Sequence, residues 1–383
     1  MRVTDYELFA VPPRWLLLKL ETSDGLVGWG EPIIQGRLET VKTAVDELVG
    51  AYLLGEDPLE TERHWRTMYQ GGYYRGGPVL MSALAGIDQA LWDIKGKHYG
   101  APIHELLGSH VRDRVMVHQW VGGEDREEIS KEAINRRNQG YRAIKMNASS
   151  EFRAIEPPGT VEQARKRVVT VRDAIGEDLY LGVDFHGRIS KPMARHLIEA
   201  LEPYGLMFVD QPVLPEHSEF LASLTEQTSV PIATGERFYS RYDFKPLLTD
   251  DAVTVIQPDV THVGGITELR KIATMADAFD VAMIPHCPLS PIAFAANLQV
   301  VFCSHNAIMQ EQDLSLHDPA ESVGLQYLED PQTFKFADGY VERPTDPGLG
   351  INVDEDYVRE QSRADVKWYN PVWRHEDGSI AEW

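Results

Sequence analysis

LYLGVDFHGRISKPMARHLIEALEPYGLMFVDQPVLPEHSEFLASLTEQTSVPIATGE, residues 179–236, holds three short β-rich runs separated by two helical stretches. The runs are LYLGVDFH (179–186), LMFVDQ (206–211) and PIATGE (231–236). Each is mainly apolar and then ends in ionisable or polar residues. A strand buried on both faces of a parallel sheet should read as continuous apolar residues, so its polar end marks a mouth, not a core. Asp184, Asp210 and Glu236 close the three runs at a constant spacing of 26 residues, one βα unit each.

The same rhythm extends in both directions. Before it stand VMVHQWV (115–121) and RAIKMN (142–147); after it stand VTVIQPD (253–259), VAMIPH (281–286) and NAIMQEQ (306–312). Helical segments are predicted at 124–139, 160–176, 190–204, 216–229, 267–280 and 290–304. Eight strands alternating with helices over this length predict a (β/α)₈-type barrel. A doubly wound open sheet would carry a Gly-rich GxGxxG turn after a strand, and none does.

Upstream, RWLLLKLETSDGLVGWGE (14–31) sets Asp24-Gly25 between two strand-like runs, a hairpin signal. Helices are predicted at 38–53 and 80–99, the second with Leu80, Leu84, Ile87, Leu91 and Ile94 in helical register. This is a small α+β unit. The tail, 340–383, is rich in polar turns and carries Trp368, Trp373 and Trp383, and is expected to pack back onto the first unit.

Catalytic groups of such barrels gather at the carboxyl ends of the strands. Seven ends in succession carry ionisable residues here: Lys145 with Asn147, Asp184 with His186, then Asp210, Glu236, Asp259, His286 and Glu311. Asp184, Asp210 and Glu236 are three hard oxygen donors without cysteine, a set suited to Mg²⁺. Asp259 and His286 end neighbouring strands, so the carboxylate can fix the tautomer of a histidine base. His186 shares the face of Asp184 and can serve as an acid. His262 and His305 are expected to be surface or packing histidines. Cys287 faces away from His286 by alternation, which argues against a Cys–His pair.

Composition narrows the partners. Asp and Glu number 59 against 37 Lys and Arg, a net charge of -22, and only 12 of the bases are Lys. This excludes the basic face that nucleic acid or an anionic membrane requires, and suits a high-salt habitat. Two cysteines, Cys287 and Cys303, make no disulfide framework, and no signal peptide or membrane-length apolar run is read. A cytoplasmic enzyme is expected.

ALAGIDQALWDIKGKHYGAPIHELLG (83–108) resembles the first-domain signature of the enolase superfamily in its mandelate-racemase branch. More narrowly, VPPRW (11–15), VGWGEP (27–32), YYRGGP (73–78), DFHGR (184–188), GGITE (264–268), PHCPLSPIA (285–293), MQEQ (309–312) and WRHEDGSIAEW (373–383) resemble the D-galactonate dehydratases. The resemblance implies a modified TIM barrel, (β/α)7β, with an N-terminal α+β capping domain. It implies boundaries at 1–113, 114–340 and 341–383.

The resemblance also implies a Mg²⁺-dependent dehydration of an aldonate of R configuration at C2 to a 2-keto-3-deoxy acid, with one Mg²⁺ per subunit. Asp184, Asp210 and Glu236 then hold the metal. His286 with Asp259 removes the α-proton, His186 protonates the leaving hydroxyl, and Glu311 stabilises the enediolate. Lys145 and Asn147 contact the substrate. Loops around Gln35–Arg37 and Tyr73–Arg75 cover the barrel mouth, so that Arg37, Tyr74 and Arg75 read distal hydroxyls. A homo-oligomer is implied. Gluconate or a pentonate is the alternative substrate, and a non-catalytic sugar-acid binder the rival class.

Two departures matter. The racemases' Lys-x-Lys is Lys145-Met146-Asn147 here, which removes a base opposite the histidine and disfavours racemisation. The family's Glu-Glu-Pro is Asp210-Gln211-Pro212, whose shorter acid retracts by about 1.5 Å, the length of one added methylene.

Overall fold

The computed structural model describes residues 1–149 and 151–382. β1 (Val3–Val11), β2 (Trp15–Thr22) and β3 (Val27–Gly30) form an antiparallel sheet in that order. Gly25 turns β2 into β3 at φ 81, a conformation that suits glycine. Four helices follow: α1 (Leu38–Tyr52), α2 (Thr61–Gln70), α3 (Gly77–Tyr99) and α4 (Ile103–Leu106). α3 is buried on most of its circumference. Gly28 and Gly30 let β3 lie directly on it, since a Cβ on either would overlap the carbonyls of Ala90 or Gly86.

A second sheet then begins. It alternates β4 (Arg114–Val121), α5 (Arg126–Asn138), β5 (Ala143–Asn147), α6 (Pro158–Ile175), β6 (Tyr180–Asp184), α7 (Lys191–Leu201), β7 (Phe208–Asp210) and α8 (Leu221–Thr225). It continues through β8 (Ile232–Thr234), α9 (Arg241–Thr249), β9 (Val255–Ile256), α10 (Ile266–Asp277), β10 (Ala282–Met283), α11 (Pro291–Cys303) and β11 (Met309–Gln312). β4 to β10 are parallel neighbours in sequence order, and β11 returns to pair with β4. A parallel bridge from Met283 to Ala307 closes the ring between β10 and β11. Among the described residues this gives eight parallel strands with seven intervening helices, a (β/α)7β barrel capped by the antiparallel sheet and its helices. Ala143, Phe208, Ala233, Val255, Ile284 and Met309 fill its interior.

The strand runs predicted from sequence all appear. Three elements do not announce themselves. β1 buries Val3, Phe9 and Val11 but exposes Thr4 and Asp5, so no alternation is legible. α2 is dominated by charged residues. α9 is short and contains Pro246, a helix breaker by default; a capping box between Ser240 and Asp243 starts it nonetheless.

Beyond the barrel, β12 (Phe336–Ala337) and β13 (Tyr340–Glu342) form a hairpin whose second strand pairs antiparallel with β4. α12 (Glu355–Gln361) reaches the first sheet through Arg359–Glu7 and Lys19–Glu355 ion pairs. The final segment also touches the barrel. Arg14 stacks on Trp368 at 4.7 Å, while Arg188 stacks on Trp373 at 4.8 Å. Trp383 lies outside the described residues.

Candidate active site

Asp184 and Asp210 end β6 and β7 directly opposite each other in register, and Asp210 is paired in turn with Ala233 of β8. Glu236 therefore sits three residues beyond the level of Asp210, past Gly235 at φ 147. Asp184 and Asp210 share one partner in this arrangement, and Glu236 has another. Lys145, on β5, places its ammonium 2.5 Å from Asp210, 3.2 Å from Asp184 and 3.6 Å from Glu311. Glu236 instead pairs with His286 Nε2 at 3.1 Å.

The charge balance of this cluster is negative. Burial alone would drive Lys145 toward neutrality, but Asp210, Glu311 and Asp184 outweigh it and hold the amine well above its ordinary range. One ammonium is shared among three carboxylates, so compensation is incomplete. Burial, with Asp184 and Glu236 close by, pushes Asp210 upward despite Lys145. Gln257, with its amide nitrogen turned to Asp210, donates to Oδ2 at 2.8 Å. A set of buried carboxylates short of positive charge, all oxygen donors, fits a hard divalent cation.

His286 forms the second centre. Its Nδ1 lies 2.7 Å from Asp259 Oδ2, and the other oxygen of Asp259 accepts from the Thr261 amide at 2.7 Å and hydroxyl at 2.6 Å. Asp259 is fully buried and is held below the usual carboxylate range: burial opposes this, but His262 and the His286 hydrogen bond prevail. Burial would lower His286, yet Glu236, Glu311 and Asp259 lift it to about 10.

His186 follows β6 at φ 55, with its amide donating to Asp184 Oδ1 at 2.5 Å. Burial depresses its ring pKa more than Asp184 and Glu236 raise it. Glu311, on β11, accepts from the Cys287 amide at 3.3 Å. The Cys287 thiol is buried and pushed up, so it is not a nucleophile. Asn147 stands level with Asp184, and its buried Oδ1 makes no hydrogen bond among the described residues. Gln211 adopts φ 44, and both its amide atoms are buried without a hydrogen bond among the described residues.

Above these groups lies a cavity of about 150 Å³ that contains Glu236 and His286 and is walled by Gln35, Arg237, Tyr239, His262 and Asn370. Of the capping loops, 34–35 reaches this cavity. Arg37 turns to the Gly36 carbonyl and lines the adjoining crevice with the tail. Tyr74 and Arg75 line a crevice against α1 and α3 instead, with Tyr74 87% exposed and Arg75 stacked on Tyr69. They are not brought to His286, because the loop folds back over α2.

Sequence reasoning missed two groups here. His262, expected to be a surface or packing histidine, is held by Ser82 at 2.9 Å and stands 4.0 Å from Asp259. Its position three residues after Asp259 was the available signal. Asn370 had none, since the tail carries no periodicity.

The family model described as enolase C-terminal domain-like matches residues 128–357. The mandelate racemase / muconate lactonizing enzyme N-terminal domain matches residues 12–108. The chain is 49% identical to a D-galactonate dehydratase of Ralstonia nicotianae and 47% identical to one of Cronobacter sakazakii. Each alignment spans 383 residues and all of both chains. Among solved structures, an enolase from Agrobacterium radiobacter with sodium and L-malate bound superposes with a TM-score of 0.91, at 29% identity over all of both chains. A mandelate racemase/muconate lactonizing enzyme from Sulfitobacter sp. gives 0.89 at 27% identity, again over all of both.

Proposed function

Because the chain belongs to the mandelate racemase/muconate lactonizing family of the enolase superfamily, we propose that its site removes water from a D-galactonate-like sugar acid. The observation that carries this is the Asp259–His286 pair at 2.7 Å, whose histidine lines one cavity together with Glu236. The reaction is a hydro-lyase elimination across C2 and C3.

Asp184, Asp210 and Glu236 would hold Mg²⁺, whose charge would lower the barrier to ionising a carbon next to a carboxylate. His286, oriented by Asp259, takes the C2 proton. Lys145 and Glu311 flank the carboxylate as negative charge builds on the enediolate. His186 gives a proton to the C3 hydroxyl, which departs as water, and the resulting enol becomes the 2-keto-3-deoxy acid. Asn147 binds a substrate oxygen. With Asn147 where the racemases have a second lysine, that second base is missing, and racemisation is disfavoured.

The division into a cap at 1–113, a barrel at 114–340 and a returning tail at 341–383 is part of the same reading. It is supported by contacts such as Arg14–Trp368. The net charge of -22 argues against a polyanionic partner such as nucleic acid. Incubation with Mg²⁺ and a panel of hexonates and pentonates, with 2-keto acid detected as its semicarbazone, tests the reading. Product from a hexonate of R configuration at C2 is expected; no product from any member would overturn it.

A further inference from the structure

We infer that two carboxylates of the capping unit, Glu31 and Asp88, hold from outside the barrel the two loops that carry the His286–Asp259 pair, and are positioning residues for proton abstraction. The catalytic half of this inference rests on the dehydratase reading. The structural half does not.

The two loops have the same design. Residues 286–290 run from His286 into the N-terminus of α11, and residues 259–265 run from Asp259 into the N-terminus of α10. A helix start leaves backbone amides without partners inside the helix. Glu31, one residue past β3, accepts from the Ser290 amide at 3.2 Å and from the Ser290 hydroxyl. Asp88, on α3, accepts from the Thr267 amide at 2.9 Å and its hydroxyl at 2.6 Å. Each acid is at most 1% exposed, so each supplies a cap from another structural unit at a dry joint.

The joint has little slack. Gly265 has φ 86, and a Cβ there would stand 2.5 Å from Asp88. Trp65 Nε1 bonds the Gly264 carbonyl at 2.8 Å, and Trp92 Nε1 bonds the Thr267 hydroxyl at 2.8 Å. Glu31 and Asp88 are themselves tied together, because the Glu31 amide donates at 3.0 Å to Gln89, the neighbour of Asp88. The relative position of two loops on adjacent barrel units is thereby set by one rigid piece of the cap. Shifts of about 1 Å at reacting groups can cost about 100-fold in rate, so such a frame matters to the base.

The experiment uses the full-length, Mg²⁺-loaded protein and compares Glu31→Gln, Ser290→Ala, Asp88→Asn and Thr267→Val with Asp93→Asn. Asp93 is a buried acid of α3 that accepts from the Trp29 and Leu349 amides and pairs with Lys97, partners that lie in neither loop. Amide hydrogen exchange should rise at 286–293 in the first two variants and at 259–267 in the next two. Their kcat should fall at least ~10-fold with KM within about 2-fold, the signature of a lost transition-state arrangement. Asp93→Asn should lower the melting temperature without either change. Exchange that rises evenly over the cap, or kcat equal to that of Asp93→Asn, would overturn the inference. The hydroxyl variants decide it if an acid variant does not fold. A wild type inactive on every aldonate would count against the dehydratase reading alone, and localised exchange would still decide the positioning role.

Discussion

The ammonium of Lys145 lies 2.5 Å from the carboxylate of Asp210, in a place where both side chains are almost wholly buried. The lysine thus offsets part of the charge of Asp184 and Asp210, two of the three acids that the proposed cation would use. Two positive charges compete for one nest of oxygens, and this competition can be measured.

Lys145→Met should tighten Mg²⁺ binding by at least ~10-fold, about 1.4 kcal/mol. It should also lower kcat by at least ~100-fold, because the substrate carboxylate loses its charged neighbour. Without metal, the variant should be less stable by about 3–5 kcal/mol, the cost of leaving buried acids unpaired. Calorimetric titration and thermal unfolding check these. Weaker Mg²⁺ binding would show that Lys145 does not oppose the cation.

Asp210→Glu restores the longer acid. It should bring the carboxylate nearer the level of Glu236 and raise Mg²⁺ affinity by a few-fold, roughly 0.5–1 kcal/mol. Unchanged affinity in the same titration would mean that the shorter side chain is already well placed.

Much of this site was legible in the sequence because barrel topology converts regular spacing into proximity. Asp184 and Asp210 end their strands, Lys145 and Glu311 lie within β5 and β11, and Asp259 and His286 follow β9 and β10 by three residues; the fold alone gathers this end of the barrel. Register was not legible. A 26-residue repeat does not reveal that Glu236 sits three residues past its strand partner, which sends it to His286. Loop contacts were hidden for a similar reason. Asn370 and His262 reach the cavity through irregular backbone, which leaves no period to read, while Tyr74 and Arg75 turn elsewhere.

Asn370→Ala should raise KM for a six-carbon acid by about 10-fold, one lost polar contact worth about 1–1.5 kcal/mol, and leave kcat within 2-fold. The effect should shrink for shorter acids. Gly36 packs against Asn370, a Cβ there meeting it at 3.2 Å, so the wall it forms is well defined. An equal KM for all chain lengths would remove Asn370 from the substrate wall.

Stability should fall as pH rises from about 5 to 9. Burial lifts Glu31 to about 8 and Asp88 to about 7, against ordinary values of 4.5 and 3.8. Between the ordinary and the raised value the folded chain keeps a proton that the unfolded chain has released. Each acid therefore stabilises the fold less as pH climbs through that window, by up to a few kcal/mol in all. Glu31→Gln should flatten the decline of melting temperature with pH. An identical slope would mean that Glu31 ionises normally.

Turnover should rise from low to moderate salt. The net charge of -22 repels an anionic substrate at long range, and screening shortens that reach to about 10 Å at 0.1 M. A steady fall in kcat/KM over the same range would contradict it.

The most direct test of the central claim is proton transfer at C2. With Mg²⁺ and a hexonate of R configuration, the wild type should form a 2-keto-3-deoxy acid, and His286→Asn should slow release of the C2 proton by at least ~1,000-fold while the fold and Mg²⁺ affinity persist. Release at the wild-type rate from His286→Asn would contradict the assignment of His286 as the base.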